Sequence, residues 1–182
     1  ELALDGGSPF HVTTSAVTGE RLITVVGSTS FAVIWEERDT GAAVTPWYAV
    51  WANGHELGTV KPTSYELLLN RATFDPLRAA PSFASSPLPE GGDVCIVQFV
   101  TQPLEAYTEA LRDLGASVYH HVSNHAYLMR MTPAAREAAR NLPFVRWIGD
   151  FHPEYRLEPE LLEDLRRGAL GASERYVIQV FE

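Results

Sequence analysis

The chain has 182 residues, 46% hydrophobic and 20% charged, a globular composition that excludes a disordered tail and has room for one large or two small domains. Fourteen Lys and Arg against 23 Asp and Glu leave a net charge of −9, which repels phosphate backbones and argues against nucleic acid as the main partner. No apolar run approaches the roughly 18 residues of a membrane span, and residues 1–20 carry no basic start followed by an apolar block, so an export signal is expected outside the chain.

Residues 1–75 alternate apolar and polar positions in four runs, 22–26, 31–35, 47–51 and 65–69, separated by Gly, Thr, Asn and Pro. This predicts a small antiparallel β domain of about five or six strands. Asn53-Gly54 between Tyr48–Trp51 and Glu56–Val60 supplies the positive φ angles of a two-residue hairpin turn. Asp39-Thr40-Gly41 predicts another turn; the same tripeptide carries the catalytic aspartate of some proteases, but here Glu36-Glu37-Arg38 precedes it instead of a burying apolar strand. Residues 76–92 hold Pro76, Pro81, Pro87 and Pro89 with Gly91-Gly92 and read as an interdomain linker.

From Asp93 the pattern is more regular. Val94–Val100 predicts a strand, and Pro103 opens a helix in which Leu104, Tyr107, Leu111 and Leu114 recur at the helical period until Gly115 caps it. Residues 116–122 and 126–131 predict two strands joined through Ser123-Asn124-His125. A helix follows from Pro133 to Pro143, and a fourth strand over Val145–Ile148. The order βαββαβ predicts a ferredoxin-like domain over 93–157, a four-stranded antiparallel sheet with two helices on one face, giving an α+β chain overall. Residues 158–182 predict a short amphipathic helix with Leu161, Leu162 and Leu165 inward. A strand over Arg175–Phe181 follows, whose Gln179 matches Gln98; it reads as the start of a second module, so Glu182 is not expected to be a natural terminus.

Residue chemistry points away from catalysis by this chain. Cys95 is the single cysteine, so neither a disulfide nor a cysteine-based zinc site can staple the fold. His120, His121 and His125 cluster near one hairpin, but adjacent strand residues point to opposite faces and no carboxylate lies between Ala116 and Arg130, so no metal is expected. No Gly-x-Ser-x-Gly elbow is present. The segment after the first strand of the 93–157 domain, Thr101-Gln102-Pro103-Leu104-Glu105, has neither an anion cradle nor a Cys-x-x-Cys. Residues 93–152 carry six acids against five arginines, which is no basic setting for RNA. Trp147, Phe151 and Tyr155 either pack the core edge or belong to an open sheet face that docks a partner protein.

Val97-Gln98-Phe99, Leu114–Val118, Asn124–Arg130 and Pro143–Leu157 resemble the N-terminal prodomain region of bacterial subtilisin-like serine proteases. The resemblance covers 93 to about 160 and the restart at 175; residues 1–75 have no part in it. It implies a propeptide that packs its sheet on two surface helices of the protease, assists folding, and inhibits until cleaved. It also implies a precursor secreted or periplasmic in a bacterium, with no cofactor and with the cognate protease domain as partner. Phe99, Tyr127, Trp147, Asp150, Phe151 and Tyr155 are then the expected partner contacts, with Asp150 placed to cap a helix N-terminus on the enzyme. The chain departs from short subtilisin propeptides in having a single acid after Gly149 and a further helix after Pro153. The competing reading is a standalone binding protein, a trans-acting inhibitor or a carbohydrate adhesin using Trp35, Trp47 and Trp51. Trp47 and Trp51 share one face of a strand, which core packing explains more simply.

Overall fold

Alternating apolar positions fold the N-terminal third into an antiparallel sheet: β1 (Ala16–Thr24), β2 (Phe31–Arg38) and β3 (Val44–Ala52), with the short β4 (His55–Glu56) and β5 (Lys61–Pro62) both pairing with β3. The structure is a computed structural model that describes residues 1–4, 7–41, 43–70, 72–82, 89–156 and 158–168, without the side chains of residues 153, 159 and 165. The expected strand over 175–181 and the packing of Leu165 lie outside the described residues. Asn53 and Gly54 form the β3–β4 turn with φ of 52° and 78°, the mirror-image geometry that suits strand twist. One face of this sheet presents Val33, Trp35, Ala49 and Trp51 to Leu2, Leu4 and Phe10 of the N-terminal segment. The opposite face presents Ala32, Ile34, Tyr48 and Val50 to the rest of the molecule.

A short hairpin follows, β6 (Leu67–Leu69) paired with β7 (Ala72–Phe74), and then α1 (Pro76–Ala79). Asp75 caps α1 by accepting from the Leu77 N–H at 3.1 Å, with Pro76 in the first turn, where its missing N–H costs nothing. Part of the expected linker is therefore ordered helix.

The C-terminal half contains β8 (Asp93–Phe99), α2 (Glu105–Asp113), β9 (Ser117–His121), β10 (Ala126–Met131), α3 (Pro133–Arg140) and β11 (Val145–Asp150), followed by α4 (Pro153–Arg156) and α5 (Pro159–Arg167). The four strands run β11-β8-β10-β9 with every neighbour antiparallel, so the chain is of the α+β class. Thr132 caps α3 through the Ala135 N–H at 3.2 Å. Ala106, Tyr107 and Leu111 of α2 and Ala135 and Ala139 of α3 close over Cys95, Val97, Phe99, Met129 and Met131 on one sheet face. Within that layer Phe144 stacks on Tyr107 at 4.4 Å. Each such fully buried large apolar side chain contributes roughly 1.5–3 kcal/mol. Gly92, at φ +81°, leads into β8 against the backbone of Met131, where an added Cβ would stand 2.4 Å from the carbonyl oxygen; only glycine fits there.

Two features depart from the domain division at residues 75 and 93. Ile34, Tyr48 and Val50 of the first sheet belong to the same core cluster as Phe99, Val100 and Phe144, so the halves share one core and are not tethered units. The β6–β7 hairpin also packs on the C-terminal sheet, with Leu67 and Phe74 against Ile96, Leu128 and Tyr155. Burial drives both results, because neither a five-stranded nor a four-stranded sheet can leave an apolar face in water. Among the described residues no helix is long and apolar enough to cross a membrane.

Candidate functional site

The six residues expected to contact a partner do not share a surface. Phe99 is 0% exposed and Tyr127 half-buried on the helix-covered face, Phe99 lying 5.5 Å from the Tyr107 ring and 6.3 Å from that of Tyr127. Trp147, Phe151 and Tyr155 lie on the opposite face in the cluster that the β6–β7 hairpin closes. The Trp147 indole folds over Gly149, where a Cβ would stand 2.0 Å from the ring. Asp150, with half its side chain exposed, accepts from Arg136 Nη1 of α3 at 2.5 Å. These positions correct the expectation of an open apolar sheet face. Period-two alternation sorts residues into two faces without saying what covers either, and here one face takes the helices and the other the hairpin. Phe99→Ala is accordingly expected to create a core cavity and lower stability by about 3–5 kcal/mol, read as a shifted denaturant midpoint; a variant as stable as the parent, with a weakened partner contact, would restore Phe99 to a surface role.

At the rim of the hairpin the chain builds its most connected polar constellation. β11 carries a bulge, since Val145 pairs with Phe99 and Trp147 with Gln98, leaving Arg146 as the extra residue. Bulges re-aim side chains, and Arg146 reaches towards Gln98 and Asp75. It forms a two-pronged pair with Asp75, Nη1 to Oδ1 at 2.8 Å and Nη2 to Oδ2 at 3.0 Å, and donates from Nη1 to Gln98 Oε1 at 2.8 Å. Its guanidinium lies 4.0 Å from the Tyr65 ring centroid. Gln98, fully buried, donates in turn to the carbonyls of Tyr65 at 3.0 Å and Asn124 at 3.2 Å. The Tyr65 hydroxyl donates to the Val100 carbonyl at 2.7 Å. Burial would raise the Asp75 carboxyl, but the bonds from Arg146 and the Leu77 N–H outweigh it and hold the group below the usual carboxylate range. Burial pushes the Tyr65 phenol up to about 12 against the pull of Arg146.

Tyr65, Asp75 and Arg146 line a cleft of ≈ 570 Å³ between the first sheet and the C-terminal half, with Arg21 and Glu36 on its other wall. Both charge signs meet there, so no single ligand charge is selected. Cys95 donates to the Met129 carbonyl at 3.3 Å, and its thiol is pushed up to about 11 by burial. His125 meets Thr63 Oγ1 at 2.6 Å, and burial takes it down to about 4. Tyr65, Cys95 and His125 therefore keep one protonation state around neutral pH. Elsewhere Glu37 accepts from Trp35 Nε1 at 2.9 Å and Thr13 Oγ1 at 2.9 Å and pairs with His11 Nε2 at 2.5 Å. That knot fastens the N-terminal segment over the tryptophans. Trp35 and Trp51 are consequently core residues, with Trp47 half-buried beside them. Among the described residues no group of three His, Cys, Asp or Glu is placed to hold a metal ion. Asp39 accepts from the Ser15 hydroxyl beside the β2–β3 turn.

Sequence reading passed over Arg146, Asp75, Tyr65 and Gln98 as a group. Their local signals are slight: an arginine inside an apolar strand, which needs a buried partner, and an Asp-Pro pair that announces a helix start. Residues 68–152, less than half of the chain, match the family described as Domain of unknown function (DUF8729), and the matched stretch takes in most of the hairpin together with the whole four-stranded sheet. No curated protein and no solved structure matches the chain.

Proposed function

We propose that this chain is a noncatalytic prodomain region of a subtilisin-like serine protease precursor, assisting folding of the protease domain and inhibiting it by docking on its surface. The observation that carries this reading is the strand order β11-β8-β10-β9 with α2 and α3 on one face. That order is compatible with a ferredoxin-like βαββαβ unit, the arrangement the resemblance implies. Cys95 is buried, Tyr65 and His125 are half-buried, and each keeps one protonation state around neutral pH, which supports a binding role over a chemical one. A secreted or periplasmic precursor belongs to the same reading, with the protease domain as partner and no cofactor. The test is biochemical: the chain is mixed with the catalytic domain encoded downstream in the same reading frame, and peptide hydrolysis is followed. Stoichiometric inhibition, with faster recovery of activity when the denatured catalytic domain refolds beside the chain, is expected. A reading frame without a subtilisin-like domain, or one whose protease ignores the chain in both assays, overturns the reading.

A further inference from the structure

A β-bulge from each of the two larger sheets opens onto the same cleft. In β1 the pairing with β2 shifts between Thr18 and Arg21, with Gly19 at φ 68°, and Gly19, Glu20 and Arg21 line one wall of the ≈ 570 Å³ space. The bulge residue Arg146 of β11 lines the other wall. Bulges that re-aim side chains are over-represented beside functional sites, and the volume is that of a small-ligand site. The two walls use their charges differently. Arg146 and Asp75 are paired to each other at 2.8 Å and form a fixed surface. Arg21 and Glu36 are exposed, and among the described residues neither is held in an ion pair. Burial dominates the rise of the Tyr65 phenol, while Arg146 and Arg21 pull it down and Glu36 and Asp75 push it up, so all four charges act on one ring in the cleft. Register places the two free charges on one face of the first sheet, Arg21 opposite Ile34 and Glu36 the next residue of β2 on that face. Such diagonal positions stand about 7–8 Å apart. Ile34, Pro46, Pro143 and Val145 give the cleft an apolar lining, to which Leu77 adds a side chain that is 61% exposed.

We propose that this cleft binds a dipeptide with free termini, its ammonium on Glu36, its carboxylate on Arg21 and an apolar side chain against Leu77 and Val145. The site goes beyond the prodomain reading and does not depend on it. The spacing of the two charges sets the length of the ligand. One residue of extended chain advances at most about 3.3–3.6 Å, so two residues hold an ammonium and a carboxylate about 7 Å apart, whereas the charges of a single α-amino acid are too close together to meet both side chains. The same pair sets the signs, since a ligand with one charge only would leave either Arg21 or Glu36 facing it as a like charge. The Arg146–Asp75 pair on the facing wall is already satisfied and calls for no ligand charge of its own.

Isothermal titration calorimetry on the whole chain at low salt, where exposed charges are least screened, tests this with the dipeptide Ala-Leu in four forms: free, N-acetylated, C-amidated and blocked at both ends. Free Ala-Leu is expected to bind at one site per chain, and blocking either end is expected to weaken it about two- to fivefold, the range of an exposed ion pair. Each variant should cancel only its own partner. Glu36→Gln is expected to remove the advantage of the free ammonium and keep that of the free carboxylate, and Arg21→Gln to do the reverse. Both side chains are exposed, so the variants are expected to melt with the parent, and a merely structural effect would weaken all four forms alike. Free Ala-Leu that gives no saturable heat at millimolar concentration overturns the site. Four forms of equal affinity, or variants that weaken every form equally, overturn the assignment of the two termini and the dipeptide with it. The prodomain reading stands or falls separately, on inhibition of the downstream protease domain.

Discussion

Arg146→Ala is expected to be the most damaging single substitution outside the apolar core, lowering stability by about 3–5 kcal/mol, the usual cost of removing one member of a buried ion pair. The side chains of Arg146 and Asp75 are only 12% and 13% exposed. Truncating the arginine leaves Gln98 Oε1 without its donor, leaves the Asp75 carboxylate only the Leu77 N–H and the more distant Arg78, and removes the cation from the Tyr65 ring. For a chain of this size the loss corresponds to roughly 10 °C in Tm. Replacing both partners, as in Arg146→Met with Asp75→Leu, is expected to recover much of it, because no charge is then stranded. The Asp75 side chain also accepts from the N–H that opens α1, so a residue of about 1 kcal/mol should persist in the double variant. Thermal unfolding of the two single variants and the double variant checks this; a change in Tm of less than about 2 °C in Arg146→Ala would show that the constellation holds nothing in place.

A second large effect is expected in the pH dependence of stability. His125 sits at φ +68°, its ring edge-on to Tyr48 at 5.3 Å and Tyr65 at 6.2 Å, with Thr63 Oγ1 on Nε2 and His121 as the nearby titratable group. Burial takes its pKa down to about 4, with a smaller contribution from His121, against about 6.5 for an unfolded histidine. The unfolded chain therefore binds the proton first as pH falls. The stability held by neutral His125 is complete above about pH 6.5 and drains away as pH drops towards 4, amounting to about 2–3 kcal/mol between pH 7.5 and 4.5. Glu37 and Asp75, both held below the usual carboxylate range, act in a lower window, where their contribution is lost only as pH falls past the unfolded carboxylate value near 4. His125→Asn keeps a side chain that tolerates positive φ and removes the titration. Urea unfolding of the parent and the variant at pH 7.5 and 4.5 should show the parent losing more stability than His125→Asn by that amount. Equal losses would remove His125 as the acid-sensitive group.

The ion pair and the histidine lie along one seam, where residues 63–70 and 72–75 meet the C-terminal sheet. The Thr63–His125, Gln98–Tyr65, Asn124–Glu66 and Arg146–Asp75 contacts are spaced along it.

Local pattern determined much of this protein without help from the fold. Asn53-Gly54 dictated its turn because positive φ is needed at both positions. Pro133 after Thr132, the run Ala126–Met131 and the helical spacing of Tyr107 and Leu111 set elements whose bounds are close to those expected, because capping, proline geometry and hydrophobic period act within a few residues. The βαββαβ order followed from those elements. What covers each face did not, because alternation is blind to the partner layer: Phe99 and Tyr127 read as candidates for a docking face until α2 and α3 claimed them. The segment from Tyr65 to Asp75 read as a strand and the end of the β domain, since its meaning depends on Gln98, Asn124 and Arg146, 33 to 71 residues away in sequence. Tertiary structure alone decided that one sheet face is closed by the chain's own hairpin, because burial and charge pairing are settled by proximity in space, and proximity across such separations leaves no periodic trace in the order of residues.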